Sequence, residues 1–240
     1  MCDPTNPKNS RRRCSIMLEK TAATGTTRVV IDTSPDLREQ MLSHNVSEID
    51  AVWYTHEHAD HTHGIDELRV FFLRQRKRVP IYADTPTAEM LMHRFAYCFV
   101  SPQGSDYPPI VEHRLITPET EIETQGQGGA LSSLPFKVHH GNIDALGFRM
   151  GNVAYTPDVN GIPDASLKYL ENLDIWIIDA LRHKPHPSHF SLAETLEWIE
   201  RMKPKQAIIT NMHVDLDYET LRKQLPPNIT PAYDGMTFTA

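Results

Sequence analysis

The sequence predicts an α/β protein built as a sandwich of two sheets covered by helices on both outer sides. Apolar runs of strand length alternate with segments of helical periodicity, and the second half of the chain repeats the order of elements in the first. No Gly- or Ser-rich linker and no low-complexity tract interrupts them. Residues 1–240 therefore read as one domain, a size that layered α/β domains reach undivided.

Ile16 to Leu18 and Arg28 to Ile31 read as strands around a Thr/Gly turn, Thr21 to Thr27. Pro35 suits the first turn of a helix with Ser34 as N-cap and Leu37, Met41 and Leu42 as its apolar stripe. An apolar run from Ile49 to Tyr54 reads as the next strand. Ile65, Leu68, Phe71 and Phe72 recur at helical spacing within Gly64 to Arg76; a strand, Val79 to Ala83, and a helix from Thr87 to about Phe99 follow. Pro102 to Pro109 reads as a loop. Gly126 to Gly129 lacks the strand-to-helix context and the lysine of a phosphate loop, so it reads as a turn between strands. Strands then come at Leu134 to Val138, Leu146 to Met150, Val153 to Tyr155 and Ile175 to Asp179, a helix at Phe190 to Met202, and a strand at Ala207 to Thr210.

A net charge of −7 and a pI near 6.0 give no global attraction to polyanions, which weighs against a nucleic-acid-coating protein. No apolar run approaches the ~20 residues that span a bilayer, and Met1 to Ser15 is polar and basic with no apolar signal region. Three cysteines do not make a disulfide framework. These features predict a cytoplasmic protein with no membrane partner.

Thr55-His56-Glu57-His58-Ala59-Asp60-His61 carries the functional signal. Neutral imidazole is the commonest metal ligand, and a carboxylate readily completes such a site. In extended backbone His56 and His58 point the same way, and Asp60 and His61 fall on the turn beyond, at the edge of a sheet where α/β proteins place ligands. The bland alternative is a solvated His-rich loop. Three further candidates also lie just past strand-like runs: His140 in Val138-His139-His140-Gly141, Asp158 in Tyr155-Thr156-Pro157-Asp158, and His213 in Thr210-Asn211-Met212-His213.

His56-x-His58-x-Asp60-His61, followed in order by His140, Asp158 and His213, resembles the ligand signature of the metallo-β-lactamase superfamily. The resemblance implies a four-layer αβ/βα sandwich holding two divalent metals. It assigns His56, His58 and His140 to one ion and Asp60, His61 and His213 to the other, with Asp158 as the bridge and Asp60 counted with the catalytic groups. The superfamily's redox branch has Glu at the position of His58. Imidazole there implies zinc, or another hydrolytic ion such as manganese. His139 is the rival of His140, since neighbours on a strand face opposite sides.

Within the superfamily the chain is most similar to the subgroup of phosphoribosyl cyclic phosphodiesterase and, more distantly, tRNA 3′-end processing ribonuclease. Arg11-Arg12-Arg13-Cys14-Ser15, His186-Pro187-Ser188-His189-Phe190-Ser191 and the segment Thr210 to Tyr218 carry that similarity. It implies hydrolysis of a small cyclic or nucleotide-like phosphodiester, with His189 acting on the leaving group; a guanidinium of the run Arg11 to Arg13, with Arg13 the candidate, could contact the phosphate, whose oxygens it matches bidentately. His189 could instead cap the following helix, and His186 could play either part. Arg11 to Arg13 could equally be a solvated face. Two departures stand out. Relatives begin with a strand and a Gly-rich turn before the equivalent of Ile16, so the first strand is expected to be missing, leaving an unpaired edge open to a homodimer. The subgroup's extra structural zinc uses clustered N-terminal cysteines and a His where this chain has Leu216; with only Cys2 and Cys14 nearby, that third metal is expected to be absent. Cys14 is expected to be buried at a strand start and Cys98 in the core. The rival functions are ester, thioester or lactam hydrolysis on the same centre, and a catalytically weak metal-binding accessory protein.

Overall fold

A computed structural model describes residues 1–239 of the chain. The fold class is the predicted one, with two mixed sheets and helices packed on them, and the chain divides into two compact units: Arg13–Ser132, and Met1–Arg12 together with Ser133–Ala240.

In the Arg13–Ser132 unit, β1 (Ile16–Ala22) and β2 (Gly25–Ile31) form an antiparallel hairpin. The expected turn at Thr21 to Thr27 contracts to Ala23 and Thr24. β-Branched threonines suit a pleated surface, and the Thr21 and Thr26 hydroxyls hydrogen-bond across the pair at 3.0 Å. β3 (Ala51–Trp53), β4 (Val79–Ala83) and β5 (Val111–Leu115) continue the sheet in parallel, and β1 stands at one edge. β6 is Ile122–Thr124. α1 (Leu37–Ser43) starts later than expected: Ser34 Oγ accepts from Asp36 N–H at 3.1 Å in a turn before the helix, and Asp36 occupies the N-cap position. α2 (Ala59–Thr62) lies within the histidine motif, and α3 (Leu68–Gln75) follows. The single helix expected from Thr87 to Phe99 is two, α4 (Thr85–Arg94) and α5 (Ala96–Phe99). Asp84 caps Thr87 N–H with Pro86 in the first turn, which starts the helix early, and Phe95 leaves the helical region (φ −128°) to pack its ring on His63. Val30, Val52, Tyr54 and Ile81 from the sheet meet Leu37, Ile65, Leu68, Phe71, Leu91 and Cys98 in one core. At roughly 1.5–3 kcal/mol per large apolar side chain, this burial is what holds the short helices.

In the other unit, β7 (Leu131–His140), β8 (Ile143–Met150) and β9 (Val153–Thr156) are antiparallel neighbours. α6 is Asp164–Leu167. β10 (Ile175–Asp179), β11 (Gln206–Thr210) and β12 (Ile229–Pro231) extend from β9 in parallel, with α7 (Leu192–Met202) and α8 (Tyr218–Gln224) between them in sequence. Ser191 and Glu194 form a capping box, which fixes the start of α7 two residues later than expected. Phe136, Val138, Trp176, Ile178, Ile199, Ile209 and Leu221 form this unit's core. No helix among the described residues is long and apolar enough to cross a membrane.

Candidate metal centre

Every candidate ligand lies at or near a strand terminus, in keeping with the rule that open α/β sheets bind ligands beyond the carboxyl ends of their strands. In the Arg13–Ser132 unit the chain leaves β3 through Tyr54 and Thr55. Thr55 N–H donates to Asp32 Oδ1 (2.8 Å) and its hydroxyl to Asp32 Oδ2 (2.7 Å), so its oxygen can accept from His56 Nδ1 at 2.9 Å. Asp32 Oδ2 also accepts from His61 Nδ1 at 2.7 Å. Asp32 follows β2 directly, is fully buried and takes a left-handed backbone (φ 68°). Burial pushes its carboxyl up, and the facing His61 pulls against that. The His56 ring lies 4.7 Å from that of His58 and 4.4 Å from that of His61. Arg94 holds the intervening backbone by donating to the Glu57 carbonyl at 2.9 Å.

Asp60 is more open, with Oδ2 3.9 Å from His61 Nε2 and 3.7 Å from an Arg13 guanidinium nitrogen. Arg13 is anchored through its backbone, its N–H donating to Asp36 and its carbonyl accepting from Gln40, while 64% of its side chain is exposed. Arg12 pairs with Asp234 at 3.3 Å.

In the other unit His140, Asp158 and His189 form a group whose ligand atoms lie within 4.8 Å of one another. His140 Nε2 is 3.5 Å and His189 Nε2 3.7 Å from Asp158 Oδ2. His140 Nδ1–H donates to the Ser188 carbonyl at 2.7 Å, and Asn211, in left-handed backbone, donates to Asp158 Oδ1 at 3.0 Å. Gly141 (φ 64°) lets the Ser188 segment approach: a Cβ there would stand 2.9 Å from Ser188 Cβ. His139, the rival of His140, turns to Asp144 at 3.1 Å on the outer side of the hairpin. His189 does not cap α7, a role taken by Ser191. Its Nδ1 bonds Asp179 Oδ2 at 2.7 Å. Asp179 is the fully buried last residue of β10, and burial pushes its carboxyl up to about 7 against the pull of His189. His213 lies outside this group; its side chain is 56% exposed and its Nδ1 is 3.2 Å from Asp215 Oδ1.

The donor set fits a divalent metal. Each Nδ1 of His56, His61 and His140 faces an oxygen acceptor, so Nε2 carries the lone pair that a cation needs, and the acceptors behind the rings hold their orientation. Sequence reading missed Asp32, Thr55 and Asp179. The available signal was an Asp closing an otherwise apolar strand, in Val29-Val30-Ile31-Asp32 and Ile175-Trp176-Ile177-Ile178-Asp179. Cys14 is half-buried rather than buried, whereas Cys98 is in the core.

Fold and site define an α/β protein of two mixed sheets with clustered histidine and carboxylate side chains that could hold a metal ion. Residues 27–212 match the beta-lactamase superfamily domain family. A crystal structure of a diphosphatase from the PhnP family superposes with a TM-score of 0.84 at 36% identity, covering 97% of this chain and 86% of that one. The chain belongs to the metallo-β-lactamase superfamily, in its PhnP-like subgroup. Zn-bound PqqB from Methylobacterium extorquens shares the fold at 16% identity (TM-score 0.74, 96% of this chain and 88% of that one). An octanoyltransferase of Porphyromonas gingivalis is 28% identical over 241 residues, 98% of this chain and 46% of that protein, so the chain spans about half the length of that relative.

Proposed function

We propose that the protein is a binuclear-metal phosphodiesterase acting on a small cyclic or nucleotide-like phosphodiester. The observation that carries this reading is the Asp179–His189 pair against Asp158, a proton-carrying imidazole held beside a candidate ligand. The kinship to a diphosphatase of the PhnP family supports a phosphorus centre. The residues that would hold the ions are His56, His58, Asp60, His61, His140, Asp158 and His213, and imidazole with carboxylate donors suits zinc, with manganese as the alternative. Bound there, two divalent ions lower the pKa of water from about 15.7 toward about 7 and offset charge on the phosphoryl oxygens.

His189 supplies what the ions do not. With Nδ1–H held by Asp179, the imidazolium donates its Nε2 proton to the leaving oxygen as the P–O bond breaks, and Asp179 fixes the ring throughout. General acid catalysis of this kind contributes ~10²- to 10⁴-fold. Arg13, largely exposed and 3.7 Å from Asp60, would exchange that carboxylate for a substrate phosphate.

Ester, thioester or lactam hydrolysis on the same centre is the second reading, favoured by the relative named an octanoyltransferase. The zinc- or manganese-loaded protein is assayed on bis(p-nitrophenyl) phosphate, a thioester and a chromogenic lactam. Turnover of the phosphodiester alone supports the first reading, and turnover confined to a carbonyl substrate overturns it.

A further inference from the structure

Arg11, the first residue of the basic run, is half-buried and committed to partners within its own unit. One terminal nitrogen donates to the carbonyls of Met212 (3.2 Å) and His213 (2.9 Å), and the other to the carbonyl of Leu216 (2.6 Å) and to Asn9 Oδ1 (3.4 Å). Three carbonyls from five consecutive residues thus converge on one guanidinium, whose planar fork matches several acceptors at once. Without a cation between them, those carbonyl dipoles would point at one another. The rest of the N-terminal segment binds the same stretch: Cys2 N–H donates to Val214 O (2.7 Å), Cys2 Sγ to Leu216 O (3.4 Å), and Asn9 Nδ2 to Asp217 Oδ2 (2.7 Å).

His213 sits in the middle of this strapped loop. With more than half its side chain exposed, little packing holds the imidazole, and its placement falls to the backbone and to Asp215, which accepts from both His213 Nδ1 and His183 N–H. Asn211 fixes the loop's start through its bonds to Pro157 O and Asp158, and the guanidinium fixes the remainder.

We infer that Arg11 is a positioning residue for His213, setting the 211–217 loop so that His213 holds the second of two metal ions. This rests on the reading proposed above, in which His213 is a ligand. Replacing a group that orients a ligand from behind typically costs 10- to 100-fold in metal affinity.

The test is a stepwise zinc titration of the metal-free full chain against a chelating indicator, for wild type, Arg11→Gln, Arg11→Lys and His213→Ala. His213→Ala is expected to lose the second equivalent, and Arg11→Gln to weaken it about 10- to 100-fold with the first unchanged. A wild-type second step in Arg11→Gln beside a lost one in His213→Ala overturns the role of Arg11 and leaves the ligand reading standing. Two intact steps in His213→Ala overturn the ligand reading and the inference with it. Equal weakening of both steps in Arg11→Gln marks general loosening and overturns positioning. Should Arg11→Gln not fold, Arg11→Lys is read by the same two criteria.

Discussion

Asp179 accepts a hydrogen bond from His189 Nδ1 at 2.7 Å, and Asp32 accepts one from His61 Nδ1 at the same distance. Each carboxylate is fully buried at the carboxyl end of a strand with a parallel neighbour: Ile178 pairs with Thr156, and Ile31 with Trp53. Each unit thus solves the same problem with the same device. A ring that must present Nε2 needs a fixed acceptor behind Nδ1, and the end of a paired strand holds one more precisely than a loop does.

For Asp179→Asn, the carboxamide can present its NH2 to Nδ1, which reverses the neutral tautomer of His189 and removes the carboxylate that supports the imidazolium, so that Nε2–H is left as a much weaker acid toward the leaving group. The expected outcome is a fall in kcat of ~10²- to 10⁴-fold, with His189→Ala in the same range. Metal content stays at the wild-type level in both. A full phosphodiesterase rate in His189→Ala with metals retained would remove that residue from the mechanism.

Asp32→Asn acts on the other half of the device. Asp32 takes three donors, from Thr55 N–H, the Thr55 hydroxyl and His61, and through Thr55 it also sets His56. An amide has one acceptor oxygen where the carboxylate has two, so one of these buried contacts must fail. Metal affinity should drop ~10- to 100-fold by isothermal titration. An unchanged binding isotherm would count against Asp32 as the group that orients His61.

The candidate ligand histidines were legible because they come just past apolar runs, and strand ends are local in sequence, whereas His189 follows no such run and was legible only through the family resemblance. Their partners were not. That Asp32 faces Thr55 and His61, or that Asp179 faces His189, follows from strand pairing between segments 10 to 29 residues apart, which local pattern does not encode. Arg11 and Arg13 look alike in sequence and differ in fate, because only Arg11 meets the carbonyls beyond β11. The break at Phe95 escaped for a related reason: the helical period continues through it, and packing on His63 decides the local conformation. The threonine-rich stretch from Thr21 to Thr27 carried turn signals, yet cross-strand hydroxyl pairing drew all but two of its residues into strands.

Cys98 should be the last thiol to react. It is fully buried in the Arg13–Ser132 core, and burial, reinforced by Asp66, pushes its thiol up to about 11. Because the thiolate is the nucleophile, modification needs both an opening of the structure and a deprotonation that is unfavourable near neutrality. Iodoacetamide labelling followed by mass spectrometry should find Cys98 unmodified in the native protein and modified in denaturant. Labelling of Cys98 at the rate of Cys2 and Cys14 in native buffer would contradict the packing described.

Asp217 makes acid stability a local property of the segment around α8. Its carboxylate accepts from Thr220 N–H (2.9 Å), Thr220 Oγ1 (2.9 Å), Asp3 N–H (3.2 Å) and Asn9 Nδ2 (2.7 Å), serving at once as the N-cap of α8 and as the tie to the N-terminal strap. Those hydrogen bonds, the backbone bond from Thr220 foremost, hold it well below the usual carboxylate range. A depressed folded pKa means that the contribution is fully present above the unfolded value of about 3.9 and is lost as pH falls toward the folded one. Asp217→Ala removes the cap and should cost about 1 kcal/mol at pH 7. Asp217→Asn keeps an acceptor that does not titrate. The difference in Tm between wild type and Asp217→Asn, measured by circular dichroism, should therefore favour wild type at pH 7 and shrink steadily below pH 4. A difference that stays constant from pH 7 to pH 3 would mean that the charge on Asp217 contributes nothing to the strap, and that its hydrogen bonds act as neutral ones.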